Sequence, residues 1–293
     1  MTEKQAELLL AAVISARATS FVFNKLVLGS LGAFDLLACR FLLAFVLLAV
    51  LFWKKLRHIS GKALLHGAVL GTLLFLTLTA ELTALKTTDS SMVSLLENTA
   101  IILVPLLEAV LLRCLPTLVS LAGAGVAVLG VALLTVQTGG FTGGVGYGLL
   151  AALLYAAAII ATDRFSHHDD PLTVGIVQVG VLGLLALLAA CCFETPRLPQ
   201  TGMEWGMVLG SLAIVCTGFG FTLQPVAQSH TNAERAGLFC ALSPACATLF
   251  GAVLLHEKIT LLGAAGILLI LSSLLLPHLM KGKRSHEVQG DPV

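Results

Sequence analysis

Ten apolar runs follow one another along the chain, at about 6–28, 34–53, 63–85, 90–112, 117–136, 144–164, 172–193, 203–228, 234–255 and 260–279. Each is about as long as a helix must be to cross a hydrocarbon core of about 30 Å at about 1.5 Å per residue. In lipid such segments satisfy their backbone hydrogen bonds internally, as helices. Only short loops and a polar tail, Lys281–Val293, are left over. Charged residues make up 11% of the chain, against about 25% in a soluble domain, and 57% of residues are hydrophobic. The fold class expected is therefore all-α integral membrane, with ten transmembrane helices.

An even number of spans places both ends on one side. Lys4, Lys54, Lys55, Arg57, Lys62, Arg113, Arg164, Arg235, Lys281, Lys283 and Arg284 fall at one set of helix ends, while Lys25, Lys86, Arg197 and Lys258 fall at the other. Positive charge concentrates on the cytoplasmic side, so both termini are expected in the cytoplasm of a multi-pass cell-membrane protein, inner or plasma. The stretch around Ala16-Arg17-Ala18 faintly resembles a signal-peptide cleavage site, but Glu3 and Glu7 precede it and an arginine beside the cut is unfavourable. Of the seven cysteines, most lie within apolar helices, and the adjacent Cys191 and Cys192 cannot close an ordinary bridge. They read as small core residues. No zinc-type spacing, P-loop, Gly-x-Ser-x-Gly or His-Glu-x-x-His pattern occurs, so no metal or cofactor is expected. Nothing favours nucleic-acid binding, and His167-His168-Asp169-Asp170 reads as a solvated turn.

An internal repeat organises the ten segments. Gly67-x-x-x-Gly71 in segment three corresponds to Gly206-x-x-x-Gly210 in segment eight, Arg113–Thr117 to His256–Thr260, Gly123 to Gly266, and Asn24-Lys25 to Asp163-Arg164, all at offsets of 139 to 143 residues. The halves are 1–137 and 138–280, followed by a polar cytoplasmic tail, 281–293. Five spans per half is odd, so the second half enters the membrane inverted, a common construction of secondary transporters. Small residues spaced four apart also suit close helix packing.

Segment four, Ser90–Leu112, carries Glu97 and Asn98 side by side inside its apolar run. A charge at that depth costs several kcal/mol unless it faces protein or water, so Glu97 points inward, with Ser90, Ser94, Pro105 and Glu108 on the same helical face. Arg17 in segment one shares a face with Ser20, Phe21 and Asn24. It keeps its proton, so it binds an anionic group of a solute, tunes a nearby carboxylate, or forms a structural ion pair. Desolvation and a guanidinium act on Glu97 in opposite senses, the arrangement expected of a proton-coupling carboxyl that changes partner; a fixed partner for Arg17 is the plain alternative. Glu81, near the end of segment three, is a second acid for coupling or gating, or a carboxylate reaching water. In segment eight, Thr217, Phe221, Gln224 and Gln228 share a helical face beside Pro225, which has no N–H to give the carbonyl of Phe221. That stripe suits a cavity wall or plain interhelical hydrogen bonding. Tyr155 in segment six offers a ring and a hydroxyl, or is core.

Several stretches together resemble the drug/metabolite transporter superfamily in its ten-helix EamA branch: Phe21-Val22-Phe23-Asn24-Lys25, Arg40-Phe41-Leu42-Leu43-Ala44, Val104-Pro105-Leu106-Leu107, Leu223-Gln224-Pro225-Val226-Ala227-Gln228 and Leu254-Leu255-His256-Glu257-Lys258-Ile259-Thr260. The resemblance implies a ten-helix inverted-repeat carrier whose central cavity is lined by segments 1, 3, 4, 6, 8 and 9. It leaves segment seven, and with it Gln178, outside the cavity, and makes Arg40, Glu257 and Lys258 structural residues at helix ends. Where the family usually has Trp-Gly midway along segment one, this chain has Arg17-Ala18.

The expectation is a secondary active transporter of a small organic solute (a metabolite, an amino-acid-like compound or a drug) working by alternating access and exporting it in exchange for protons. Uptake or solute exchange on the same fold is the alternative. An enzyme acting on a lipid-linked substrate would need a convergent catalytic set near one interface, and none is legible. Candidate cavity residues are Arg17, Phe21, Glu81, Ser94, Glu97, Asn98, Tyr155, Thr217, Phe221 and Gln224, with Glu97 and Glu81 as the proton carriers. The expected partners are the solute, the lipid bilayer and protons; the sequence leaves homodimer formation open.

Overall fold

The computed structural model describes residues 3–111, 118–137, 142–166, 169–230, 242–256, 261–262, 264–269 and 272. The described elements are helical: α1 (Glu3–Val27), α2 (Ala33–Leu51), α3 (Trp53–Leu56), α4 (Gly61–Leu85), α5 (Ser90–Asn98), α6 (Ala100–Leu111), α7 (Leu118–Gln137), α8 (Gly143–Ser166), α9 (Pro171–Phe193), α10 (Gly202–Trp205), a π-helix (Gly206–Phe221), α11 (Thr222–Gln228) and α12 (Leu242–Leu254). Among the described residues seven stretches are long and apolar enough to cross a bilayer: Lys4–Val27, Ala33–Leu51, Gly61–Leu85, Ser90–Leu111, Gly143–Phe165, Pro171–Phe193 and Gly202–Gln228. Val50, Leu51, Leu65 and Leu188 stand exposed on their outer faces, as acyl chains require and water would not. Of the expected segments, more than half of the tenth, the first part of the ninth, Arg113–Thr117, Glu257–Thr260, His167-His168 and the tail lie outside the described residues.

Hydrogen bonds at the two ends of the bundle show that the helices alternate in direction. At one end Lys55, beyond α2, donates to Asp170 at 3.2 Å, and His66 of α4 pairs with Asp169 and stacks on Phe165 of α8 at 4.1 Å. Asp170 also caps α9, accepting from Thr173 N at 3.1 Å. Partial burial works against its ionisation, but the hydrogen bonds from Thr173 and Lys55 outweigh it and hold the carboxyl below its ordinary range. At the other end Lys25, closing α1, donates to Thr88 O at 3.1 Å and to Asp89 at 3.2 Å. There Glu194 accepts from the N–H groups of Ala33, Phe34 and Asp35 at 3.0, 3.1 and 3.2 Å, so a carboxylate from the end of α9 satisfies the first turn of α2. Gly32 leaves room for that carboxylate, which a side-chain carbon there would have to displace.

Packing is exchanged between the two ends of the sequence. α1 lies against the π-helix and α12, while α8 lies against α4 and α5; α2 packs on α9 and the π-helix, while α9 packs on α2 and α4. Glycines allow the closest of these approaches. A Cβ at Gly67 would stand 2.6 Å from Val177 Cβ, and one at Gly71 2.7 Å from Gln178 O, which places the glycine pair of segment three against α9. The corresponding pair in segment eight behaves differently: Gly206 and Gly210 have open space where a Cβ would go, so no close contact among the described residues depends on them.

Two segments depart from simple helices. The single helix expected over segment four is broken at Thr99. Asn98 Nδ2 turns back to donate to Ser94 O at 2.8 Å, and Thr99 Oγ1 donates to Leu96 O at 2.6 Å, side-chain bonds that compete with the α-helical ladder. Segment eight runs as a π-helix from Gly206 to Phe221 before reverting to α geometry. Wide helical turns of this kind are uncommon and recur at functional sites.

Candidate functional site

Charged side chains meet in the middle of the bundle, carried there by helices distant in sequence. Arg40 of α2 is fully buried. It does not sit at a helix end as expected but well inside α2, where its Nε donates to Thr217 Oγ1 at 2.7 Å and its Nη1 to Asn24 Oδ1 at 3.2 Å. Asn24 Nδ2 passes the contact on, donating to Glu81 Oε1 at 3.2 Å. A relay Arg40–Asn24–Glu81 thus joins α2, α1 and α4. Glu81 in turn lies beside Glu97 of α5, on the lining of one cavity. A hydrogen bond between two carboxyl groups requires one of them to carry a proton, because ionised carboxylates only accept. The second oxygen of Glu97, Oε2, is buried with no hydrogen-bond partner.

Arg17 lies midway along α1. Its Nη1 donates to Tyr155 Oη at 2.8 Å and to Gln224 Oε1, while Gln224 Nε2 reaches Tyr155 Oη at 3.4 Å. The guanidinium carbon sits 4.1 Å from the centroid of Phe221 and 5.2 Å from that of Tyr155, within cation–π range. Phe221 is a shared platform: Arg40 lies 5.4 Å from its centroid, and Phe41 meets it edge to face at 5.4 Å. Gly220 leaves room for the Arg17 stem, since a Cβ there would come within 2.7 Å of Arg17 Cγ.

These groups surround a small cavity lined by Arg17, Phe21, Glu81, Glu97, Asn98, Tyr155 and Phe221, and also by Ile14, Ser20 and Ser243. Of the remaining candidates, Ser94 faces Ser243 at 3.5 Å between Oγ atoms, and Thr217 faces Arg40. Gln224 belongs to a second small cavity, with Leu74, Tyr155, Ala158, Ile159, Thr162, Gln178, Phe221 and Pro225. Gln178 therefore does line a cavity, although its segment was expected outside. Its Nε2 donates at 2.8 Å to Phe221 O, the carbonyl that Pro225 leaves without an N–H four residues on. A proline with a freed carbonyl was readable in the sequence; the donor, 43 residues away, was not.

The sequence profile of the EamA-like transporter family matches residues 5–136 and again 142–277. The chain belongs to the EamA-like transporter family. Two proteins of Archaeoglobus fulgidus, each named only as an uncharacterized transporter, are similar over nearly their whole length: one is 28% identical over 284 residues, covering 92% of this chain and 96% of the relative. The other is 27% identical over 278 residues, covering 93% and 95%. A crystal structure with no more specific description superimposes with a TM-score of 0.71 at 21% identity, covering 94% of this chain and 96% of that one, a likeness of fold. With its spanning helices, this EamA-like chain is a multi-pass membrane transporter within the drug/metabolite transporter superfamily.

Proposed function

We propose that the protein is a secondary transporter that moves a small organic solute by alternating access and exports it in exchange for protons. In this reading it consists of two inverted five-helix repeats, 1–137 and 138–280, with the tail 281–293 and both termini in the cytoplasm. The two successive family matches and the exchanged packing of α1 and α8 support the repeat.

One observation carries the coupling: Glu81 and Glu97 lie side by side on the lining of a cavity that also holds the Arg17 guanidinium, and Glu97 Oε2 has no hydrogen-bond partner there. Two carboxyls side by side hold a proton between them more readily than two negative charges. With one proton already shared, a second taken up on one side neutralises the pair, and its loss on the other returns a negative charge that the arginines or a solute can balance. Solute and proton would then compete for the same carboxyl, which gives exchange without any further moving part.

The test is flux in proteoliposomes, with a solute found by thermal-shift screening of metabolites on the purified protein. Glu97→Gln keeps the shape and the hydrogen bonds but cannot release a proton. It should cut proton-driven flux at least tenfold while solute–solute exchange persists, and Glu108→Gln should leave both unchanged. Proton-driven flux in Glu97→Gln with an unaltered pH profile would exclude this residue as the carrier and direct attention to Glu81.

A further inference from the structure

The two cavities share Tyr155 and Phe221 as lining residues, and Arg17 and Gln224, which line one each, join across that shared wall. On one side of it are Ser20, Glu81, Glu97 and Asn98; on the other are Ala158, Thr162, Gln178 and Pro225. It is closed by contacts between side-chain tips drawn from α1, α8, the π-helix and α11.

We propose that Arg17, Tyr155, Phe221 and Gln224 form a gate, and that the cavity beyond it, with Thr162, Gln178 and Gln224, is a vestibule through which the solute passes between the central cavity and the end of the bundle where α8 ends and α9 begins. The inference rests on the transport reading. Opening needs the Arg17 guanidinium to leave Gln224 and Tyr155, and the Gln224 amide to part from Tyr155. The Arg17 stem has no side chain to pass at Gly220, and an alternative acceptor stands in the same cavity: Glu97 Oε2, buried and without a partner. With the guanidinium on Gln224 and Tyr155 the two cavities are separate. Moved to Glu97, it leaves Phe221 and Tyr155 as the smooth walls of a continuous path. The charged groups around Glu97 in this exchange are Glu81 from α4 and Arg17 from α1, with Arg40 from α2 behind Glu81. The neutral wall residues Thr162 and Gln178 suit a vestibule that holds a polar solute loosely.

The gate is testable without solute or proton gradient, so its outcome is separable from that of the coupling experiment. In full-length protein with its native cysteines replaced, Ser20→Cys and Thr162→Cys report on the two cavities. Sealed vesicles of each orientation are treated with a small, membrane-impermeant methanethiosulfonate cation. From the face that labels Thr162→Cys, Ser20→Cys should react at least fivefold more slowly than Thr162→Cys. Adding Gln224→Ala or Arg17→Met should raise its rate from that face at least fivefold. Gln224→Ala leaves the local charge unaltered, so a rise there cannot come from electrostatic attraction of the probe. The gate is overturned if Ser20→Cys reacts as fast as Thr162→Cys in the parent, or if neither second substitution raises its rate by that factor.

Discussion

Gln178 shows how one side chain can hold a helix defect in place. Pro225 lacks an N–H, and in a membrane core the carbonyl of Phe221 has no water to turn to. The amide of Gln178 fills the place from α9 at 2.8 Å, and Gly175 on the same helix lets that approach happen, with Thr222 O only 2.6 Å from where a Cβ would stand. Gln178→Leu should therefore destabilise the protein by about 1–3 kcal/mol, the cost of stranding a buried acceptor. In a Pro225→Ala background the restored N–H can serve Phe221, and the same substitution should cost at most half as much. Thermal unfolding of all four variants in detergent measures the coupling, and equal costs in both backgrounds would remove Gln178 from this role. Arg17 and Arg40 teach a related lesson. Arg17 was legible as an intramembrane charge and Arg40 as a structural residue, but Arg40 braces Thr217 and Asn24 from well inside α2 and not from a helix end, whereas Arg17 stands between two cavities.

At the scale of elements, periodicity relates residues of one helix to each other but not to the neighbours they meet. The stripe Thr217, Phe221, Gln224, Gln228 assumes about 3.6 residues per turn. Through the π-helix each residue advances through a smaller angle, yet Thr217 and Phe221 both stay on the Arg40 side, while Gln224, past the return to α geometry, lines the second cavity. The glycine pairs divide in the same way. Both read alike in the sequence, yet only Gly67 and Gly71 meet a neighbour, because α4 presents them to α9 and the π-helix turns Gly206 and Gly210 to open space. Gly71→Leu should thus sharply reduce the yield of folded protein, while Gly210→Leu should express and unfold close to the parent. Monodisperse yield after gel filtration decides it: a normal Gly71→Leu or a failed Gly210→Leu would contradict this packing.

For the whole molecule, the basic residues sort by end. Lys54, Lys55, Arg57 and Lys62 lie at the end where Lys55 meets Asp170 and His66 meets Asp169. Lys25, Lys86 and Arg197 lie at the end where Lys25 meets Asp89 and Glu194 caps α2. If the first end is cytoplasmic, as the excess of positive charge argues, an impermeant thiol reagent added to intact cells should label Arg197→Cys and spare Arg57→Cys in a variant without native cysteines. Labelling in the opposite sense would invert the proposed topology, and with it the side on which the vestibule opens.

The amino-acid sequence by itself determined that the chain spans a membrane as helices, because apolar runs of bilayer length have no other stable form in lipid. It also singled out the buried charges, since an ionisable group in such a run must find a partner or water wherever the helix goes. What it could not determine is how each helix is rotated against its neighbours. Helical period relates a residue to its own axis, and the partner of Arg17 across the gate lies 207 residues away. Only the tertiary packing, with the break at Thr99, the wide turns from Gly206 to Phe221 and the glycine contacts of α9, decided that Gln178 faces inward, that Thr217 holds Arg40, and that one polar interior is divided into two cavities. These are sums of many small contacts along helix faces, whereas the cost of an unpaired charge in lipid is large and local, and so is already visible in the sequence.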